Sequence, residues 1–180
     1  MRSLILAASL LAGPAAAMGI EIEVAGEAEG TIVIDLFEEV APNHSERIAT
    51  LAEEGAYNGV AFHRVIEGFM AQTGDVSCGV ESASCPPGTG GSEMGNLDAE
   101  FSDLEYKRGV VGMARSQNPD SANSQFFIMF EDGPFLNGQY TVVGEVTEGM
   151  EVVDAIKRGQ GANGAVLGEP DRMQLVTATE

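Results

Sequence analysis

Ile20, Ile22 and Val24 alternate with charged neighbours, and after the stretch AGEAEG the alternation resumes with Ile32, Ile34 and Leu36 along Thr31–Leu36. A period of two on both sides of a glycine-bearing turn predicts a hairpin of half-buried strands. The pattern then changes to helical spacing. In PNHSERIATLAEEG, Ile48, Leu51 and Ala52 form an inward stripe, Asn43 and Glu46 have the spacing of a capping box, and Gly55 stops the run. A helix opening at Pro42 or Asn43 is expected. Further strand-like runs are Ala61–Ile66, Phe69–Thr73, Val110–Ala114, Gln125–Met129, Thr141–Val146 and Met173–Ala178. A second helix, GMEVVDAIKRG, places Val152, Val153 and Ile156 on one side and is expected to end at Lys157-Arg158-Gly159, a basic last turn followed by glycine. Val76–Tyr106 has little periodicity, a loop length that is uncommon unless the segment is functional or stapled.

Eight short strands and two helices predict a mainly β fold. The expected form is a closed eight-stranded antiparallel β-barrel, whose closure removes exposed edges, capped by two α-helices. The 180 residues, 44% hydrophobic and 21% charged, suit one globular domain. The opening MRSLILAASLLAGPAAAMG reads differently: Arg2 supplies a positive start, Leu4–Ala12 a short apolar run, Gly13-Pro14 a break and Ala15-Ala16-Ala17 a small-residue cleavage site. Residues 1–17 are therefore expected to be a signal peptide and 18–180 the mature domain, since the apolar run is far short of the ~20 residues a spanning helix needs.

Charge narrows the partners. Nine Lys and Arg stand against 28 Asp and Glu, a formal charge of −19, and losing Arg2 with the signal makes the mature chain more acidic still. Such a chain repels nucleic acid and anionic membrane surfaces, and the acidic residues are spread out as a solvated face rather than gathered in a tail. The two cysteines, Cys78 and Cys85, lie in the Gly/Pro/Ser-rich segment SCGVESASCPPGTGG. In a reducing cytosol they would be incidental thiols; in an exported chain they are expected to form a structural disulfide. No further His or Cys lies near them to build a metal site.

The usual catalytic motifs are missing: no G-x-S-x-G, no G-x-x-x-x-G-K-[ST] and no H-E-x-x-H occurs. Of two histidines, His44 falls in what reads as the exposed start of a helix, and His63, between Phe62 and Arg64, reads as a core histidine. The odd residue is Arg64 in FHRVIEGFMAQTGD. On a strand beginning at Ala61, Phe62 and Arg64 share one face and His63 and Val65 the other; Met70 and Gln72 share one parity of the next strand, Phe69, Ala71 and Thr73 the other. Arg64 is then either a donor fork at the rim of an apolar pocket or the partner of a surface carboxylate, and spacing alone favours the second.

FHRVIEGFMAQTGD, GTGG (Gly88–Gly91), GMARSQNPDSANSQFFI (Gly112–Ile128) and FLNGQYTVVGEVTEGMEVVD (Phe135–Asp154) resemble, in that order, the cyclophilin family of peptidyl-prolyl isomerases. The resemblance runs from about Thr31 to Ala178 and is specific because several long motifs keep their order. It implies a flattened barrel closed by a helix at each end, and an isomerase acting on X–Pro bonds without a cofactor. Carried over by position, Arg64 and Gln72 are the implied catalytic residues. The substrate-binding residues implied are Phe69, Met70, Phe127 and Leu136 around the proline, with Ala114, Arg115 and Gln125 along the adjoining groove. Phe135 and Tyr140 stand where eukaryotic members often carry tryptophan and histidine, as in bacterial members; without the indole N–H, cyclosporin affinity is expected to be weak. The implied partners are proline-containing peptides and unfolded exported proteins, the implied setting a periplasm (or, as the alternative, the secreted fraction), and the implied state a monomer. A proline-peptide-binding chaperone module with little turnover is the second reading, and retention of Arg64 argues against it, because binding proline needs only the apolar pocket.

Overall fold

In the computed structural model, which describes residues 18–180, the segment expected to be a signal lies outside the described residues. The domain is built on one curled antiparallel sheet. Its strands are β1 (Gly19–Ala25), β2 (Gly30–Leu36), β3 (Val60–Ala61), β4 (Arg64–Ile66), β5 (Met70–Thr73), β6 (Val110–Met113), β7 (Phe126–Met129), β8 (Val142–Glu148) and β9 (Arg172–Thr179). They are hydrogen-bonded in the order β3-β9-β1-β2-β8-β6-β7-β5-β4. Helix α1 (Pro42–Glu53) packs on β9, β1 and β8, and α2 (Met150–Ala155) packs on β2.

This corrects the expected closed eight-stranded barrel: the sheet is a nine-stranded half-barrel whose edge strands, β3 and β4, carry no ladder between them. The reason lies in the run Ala61–Ile66, which is two strands rather than one. Val60 and Ala61 pair with Met173 and Arg172 of β9, whereas Arg64–Ile66 pair with Met70–Gln72 of β5. Between them Phe62 N–H donates to the carbonyl of Asp171 at 2.9 Å and His63 N–H to that of Gln72 at 3.1 Å, so the chain steps from one sheet edge to the other. The step also breaks the expected alternation. Phe62 and Val65 both enter the main core, and Arg64 is left on the other side.

The sheet has two apolar faces. Ile20, Ile22, Ile32, Ile34, Val111, Met113, Phe126 and Ile128 fill the concave interior together with α1 and α2. On the opposite parity, Met70, Val110, Phe127, Met129 and Val142 join Tyr106 and Leu136 in a smaller second cluster. Alternation on β5, β6 and β7 therefore feeds both, because the side-chain period of a strand is two. Phe69 sits in the turn before β5 rather than in the strand, and packs with the second cluster.

The helix ends also depart from expectation. No capping box forms at α1: the N-cap is Ala41, without a side-chain cap. Glu100 takes its place from the long loop, accepting from the N–H groups of Asn43 and His44 at 3.3 and 3.2 Å and from the Asn43 side chain at 2.6 Å. His44 is consequently not exposed but fully buried, its Nδ1 at 2.6 Å from Glu100. Helix α2 stops at Ala155, before the basic pair; Lys157 N–H donates to Asp171 and Arg158 turns to Glu67 and to the ring of Phe130.

The loop 76–106 is tied down by single polar groups. The Asn123 side chain accepts from Ser92 N–H at 2.7 Å and donates to Met94 O at 2.9 Å, and Arg47 reaches Gly95 O at 2.9 Å. The Cys78–Cys85 disulfide forms as expected, with Cα atoms 5.3 Å apart.

Among the described residues Glu100 is the only side chain that caps α1, so Glu100→Ala should destabilise the fold by about 1–2 kcal/mol. The measurement is a urea titration, in which the midpoint falls while the m-value is unchanged.

Candidate active site

Four strands, β4 to β7, carry the site on the second face of the sheet. Gln72 lies directly opposite Arg64 on β4 and opposite Phe127 on β7, and Met70 opposes Met129. Gly112 on β6 opposes Phe127, and it must be a glycine: a Cβ there would stand 2.5 Å from both the Phe127 ring and the Tyr106 hydroxyl. That bare backbone lets Tyr106 stack on Phe127, ring centroids 5.8 Å apart, while Tyr140 meets Phe127 edge-on at 5.9 Å. Aromatic pairs at these distances and angles are mutually favourable.

The result is a small cavity of about 140 Å³ lined by Arg64, Phe69, Met70, Gln72, Ala114, Arg115, Phe127, Leu136 and Tyr140. All of these were expected from the sequence, and the fold brings them together. The other two expected residues stand outside it. Phe135, 63% exposed, leans on Phe69 with centroids 5.4 Å apart at the rim. Gln125 lines an adjoining, more polar groove of about 440 Å³ with Gly88–Ser92, Ser116, Ser121 and Asn123. Gln72, Ala114 and Arg115 belong to both spaces.

Arg64 is fixed rather than free. Its Nε donates to the carbonyl of Asn163 at 2.9 Å and its Nη1 to Gln72 Oε1 at 3.0 Å; Nη2 has no partner among the described residues. Partial burial lowers its pKa from the ordinary value, yet a guanidinium keeps its charge in proteins. The expectation that spacing favoured, a salt bridge to a surface carboxylate, is not met: both bonded groups are neutral. Gln72 in turn donates through Nε2 to Gln125 Oε1 at 2.9 Å, and Gln125 Nε2 donates to Gly90 O at 2.8 Å. Arg115 is held over the Tyr140 ring, 4.2 Å from its centroid, with its Nη groups on the carbonyls of Ser116 and Gln139. Its side chain is thus part of the wall.

Sequence reasoning missed Asp75, Gly112, Tyr106 and the Asn163 carbonyl. The first three stand inside or beside quoted motifs, and Asp75 closes FHRVIEGFMAQTGD. Its carboxylate is fully buried, accepting from the N–H groups of Cys78 (2.8 Å), Gly88 (2.7 Å), Gly90 (2.9 Å) and Ser77 (3.3 Å). His63 is buried nearby, and burial lowers its pKa, which favours the neutral ring.

Fold and site together define a small, largely apolar pocket beside a fixed, partly desolvated arginine on the outer face of a curled β-sheet. The family described as cyclophilin type peptidyl-prolyl cis-trans isomerase/CLD matches residues 19–178. A protein of Brucella suis named "Probable peptidyl-prolyl cis-trans isomerase" is 57% identical over 152 residues, 83% of this chain and 78% of that one. A peptidyl-prolyl cis-trans isomerase of Helicobacter pylori is 41% identical over 136 residues, 73% and 77% of the two chains. Among solved structures, a cyclophilin type peptidyl-prolyl cis-trans isomerase of Cryptosporidium parvum is 26% identical with a TM-score of 0.78, covering 91% of this chain and 98% of that one. A cyclophilin of Hirschia baltica is 25% identical with a TM-score of 0.71, covering 88% and 73%. The chain belongs to the cyclophilin-type peptidyl-prolyl cis–trans isomerase family, and its activity is the isomerisation of X–Pro bonds.

The electrostatics of Asp75 generate a pH dependence. Burial by itself raises this carboxyl, but the N–H groups of Cys78, Gly90, Gly88 and Ser77 outweigh it and hold the pKa below the ordinary 3.8. A group depressed in the folded state stabilises fully above its unfolded pKa and loses that contribution as pH falls through the folded one. The loop around Gly88 and Gly90 should therefore stay closed down to the ordinary carboxylate range and open only in stronger acid, read as amide chemical shifts of Gly88, Gly90 and Cys78. Asp75→Asn, which cannot accept all four N–H groups, should abolish that acid step and cost about 1–3 kcal/mol at neutral pH in a denaturant titration.

Proposed function

We propose that the isomerase serves the folding of exported proteins in a bacterial periplasm, with Arg64 as the catalytic donor and Gln72 as the group that aims it. The barrier of the reaction is ~18–20 kcal/mol, because the amide nitrogen's lone pair is conjugated with the carbonyl. Uncatalysed X–Pro exchange takes tens to hundreds of seconds, slow enough to limit folding. No bond is made or broken, so neither nucleophile nor general base is required.

Catalysis needs the twisted amide to be bound better than the planar one. As conjugation is lost, the prolyl nitrogen regains its lone pair and becomes an acceptor. The observation that carries the reading is that Arg64 spends Nε and Nη1 on Asn163 and Gln72 while Nη2 is left without a partner among the described residues, at a pocket of about 140 Å³. A donor held in place before substrate arrives costs no reorganisation in the transition state, and low-dielectric walls strengthen it. Phe69, Met70, Phe127 and Leu136 grip the ring; Gln125 and the backbone at Ala114–Arg115 receive the flanking peptide. Proline-containing peptides and unfolded exported chains are the partners. The Cys78–Cys85 disulfide supports an oxidising compartment, and no helix among the described residues is long and apolar enough to cross a membrane. The mature chain is taken to act as a monomer.

Arg64→Ala should lower kcat/KM for a short X–Pro peptide by about 10²–10³-fold, the loss typical of one transition-state donor, with peptide affinity nearly kept. Exchange spectroscopy by NMR measures both. Arg64→Lys should recover only part, since an ammonium cannot hold two acceptors in a planar fork and still donate to the substrate. Unchanged exchange in the alanine variant would remove Arg64 from the mechanism, and peptide binding without acceleration by the native protein would favour the chaperone module. For export, the intact mass of protein from a periplasmic extract should correspond to a chain beginning at Met18; a product that retains residues 1–17 and stays with the cytosol would overturn the assignment.

A further inference from the structure

The Cys78–Cys85 bridge closes a loop that begins at a residue tied to the Asp75 carboxylate, and the segment just after it, at Gly88 and Gly90, is tied to the same carboxylate. Asp75 Oδ1 accepts from Cys78 N–H at 2.8 Å, and Oδ2 accepts from Gly88 and Gly90 N–H at 2.7 and 2.9 Å. The carbonyl of Gly90 receives Gln125, Gln125 receives Gln72, and Gln72 receives Arg64, at 2.8, 2.9 and 3.0 Å. An unbroken series of hydrogen bonds thus leads from the disulfide's own backbone to the arginine at the pocket. There is no slack at Gly90: a Cβ there would lie 2.0 Å from Ser77 Oγ, 2.6 Å from Asp75 Oδ1 and 2.8 Å from Cys78 Sγ. Cys78 and Gly90 are linked through Asp75, whose carboxylate accepts from both N–H groups.

The two sulfurs are unequal. Cys78 is buried, 5% exposed, whereas Cys85 is partly exposed. Both cysteines border a separate cleft of about 450 Å³, beside Pro86 and Pro87, which shares no residue with the proline pocket, and Cys85 is the more exposed of the two. Around Cys78 Sγ stand the hydroxyls of Thr89 and Ser77, at 3.7 and 3.8 Å. The Thr89 hydroxyl currently donates to Pro86 O at 2.6 Å, which holds the turn that follows the bridge.

We propose that the Cys78–Cys85 bond is a thiol-exchange site, open to a dithiol reductant at Cys85, and that its reduction loosens Gly90 and lowers isomerase activity. An incoming thiolate attacks Cys85 Sγ; the S–S bond breaks, a mixed disulfide forms on Cys85, and the bonding pair leaves on Cys78. Cys78 takes up a proton, because a thiolate there would face the Asp75 carboxylate. The reductant's second thiolate then attacks its own sulfur in the mixed disulfide, and Cys85 leaves and is protonated. The protein gains two electrons and two protons, and the dithiol becomes a disulfide. Once the bridge is gone, the Thr89 hydroxyl turns from Pro86 O to the Cys78 sulfur, and the loop recovers the chain entropy that the bridge removed. Asp75 then holds a segment with more than one position, and Gln125, Gln72 and Arg64 lose their common reference.

The coupling rests on the role given to Arg64 above, so the test reads it in three ways. Oxidised protein is treated with limiting glutathione, alkylated and mapped by mass spectrometry: glutathione should sit on Cys85 and the alkyl group on Cys78, and the reverse pattern would overturn the exchange site. Fully reduced and alkylated-free protein, checked as folded by its amide spectrum, should show kcat/KM lower by about 5-fold, the small end of allosteric coupling, and reoxidation should restore it. Cys85→Ser should match the reduced level and ignore the reductant. Finally, the side-chain amide signals of Gln72 and Gln125 should shift on reduction, whatever the activity; shifts confined to residues 76–90, or equal kcat/KM in both redox states, would overturn the coupling.

Discussion

Two hydrogen bonds at Phe62 and His63 govern where everything else falls. Because Phe62 N–H turns to Asp171 and His63 N–H to Gln72, one short segment serves as both edges of the sheet. The edges are thereby protected by covalent continuity rather than by a closing ladder, which is another way of managing exposed strand edges. The same step shifts side-chain parity. Phe62 and Val65 go to the interior, and Arg64 goes to the outside, directly across from Gln72. Had the strand run through unbroken, Arg64 would have shared its face with Phe62 inside the core, where an unpaired guanidinium is very costly.

With the arginine outside, the second face of the sheet becomes a chemical surface. Met70 and Phe127 in it are the alternate positions of strands whose other positions build the core. Gly112 is the point of least tolerance, since the stack of Tyr106 on Phe127 occupies the space any side chain there would need. The groups that line the pocket are neutral or cationic, although the chain carries a formal charge of −19. Two of the few cations, Arg64 and Arg115, stand at this pocket within an otherwise acidic chain.

The long loop shows how a segment without secondary structure can still be specified. Asp75, Asn123 and Glu100 each satisfy several backbone N–H or carbonyl groups of residues 76–106 or of α1. Buried backbone groups need such partners wherever no ladder supplies them. These three side chains act across sequence distances of up to dozens of residues, and nothing in local pattern marks them. The expected capping box at Asn43 and Glu46 had the right spacing, but Glu100 occupies the helix end, and the same carboxylate bonds the buried His44.

Periodicity determined most strands and both helices, because burial on one face imposes a period of two or of 3.6 on any sequence that folds this way. The family's motifs, read in order, named the pocket residues, and the cysteine spacing with the leader-like start anticipated the disulfide. What remained for tertiary structure was every decision that depends on who arrives from far along the chain. Whether Ala61–Ile66 is one strand or two was set by the competing edges of β9 and β5. Whether Arg64 met a carboxylate or neutral acceptors was set by Asn163, ninety-nine positions away. A sequence records which side chains must leave water; which partners satisfy the polar groups left behind is decided only when the sheet has curled and brought them within hydrogen-bonding distance.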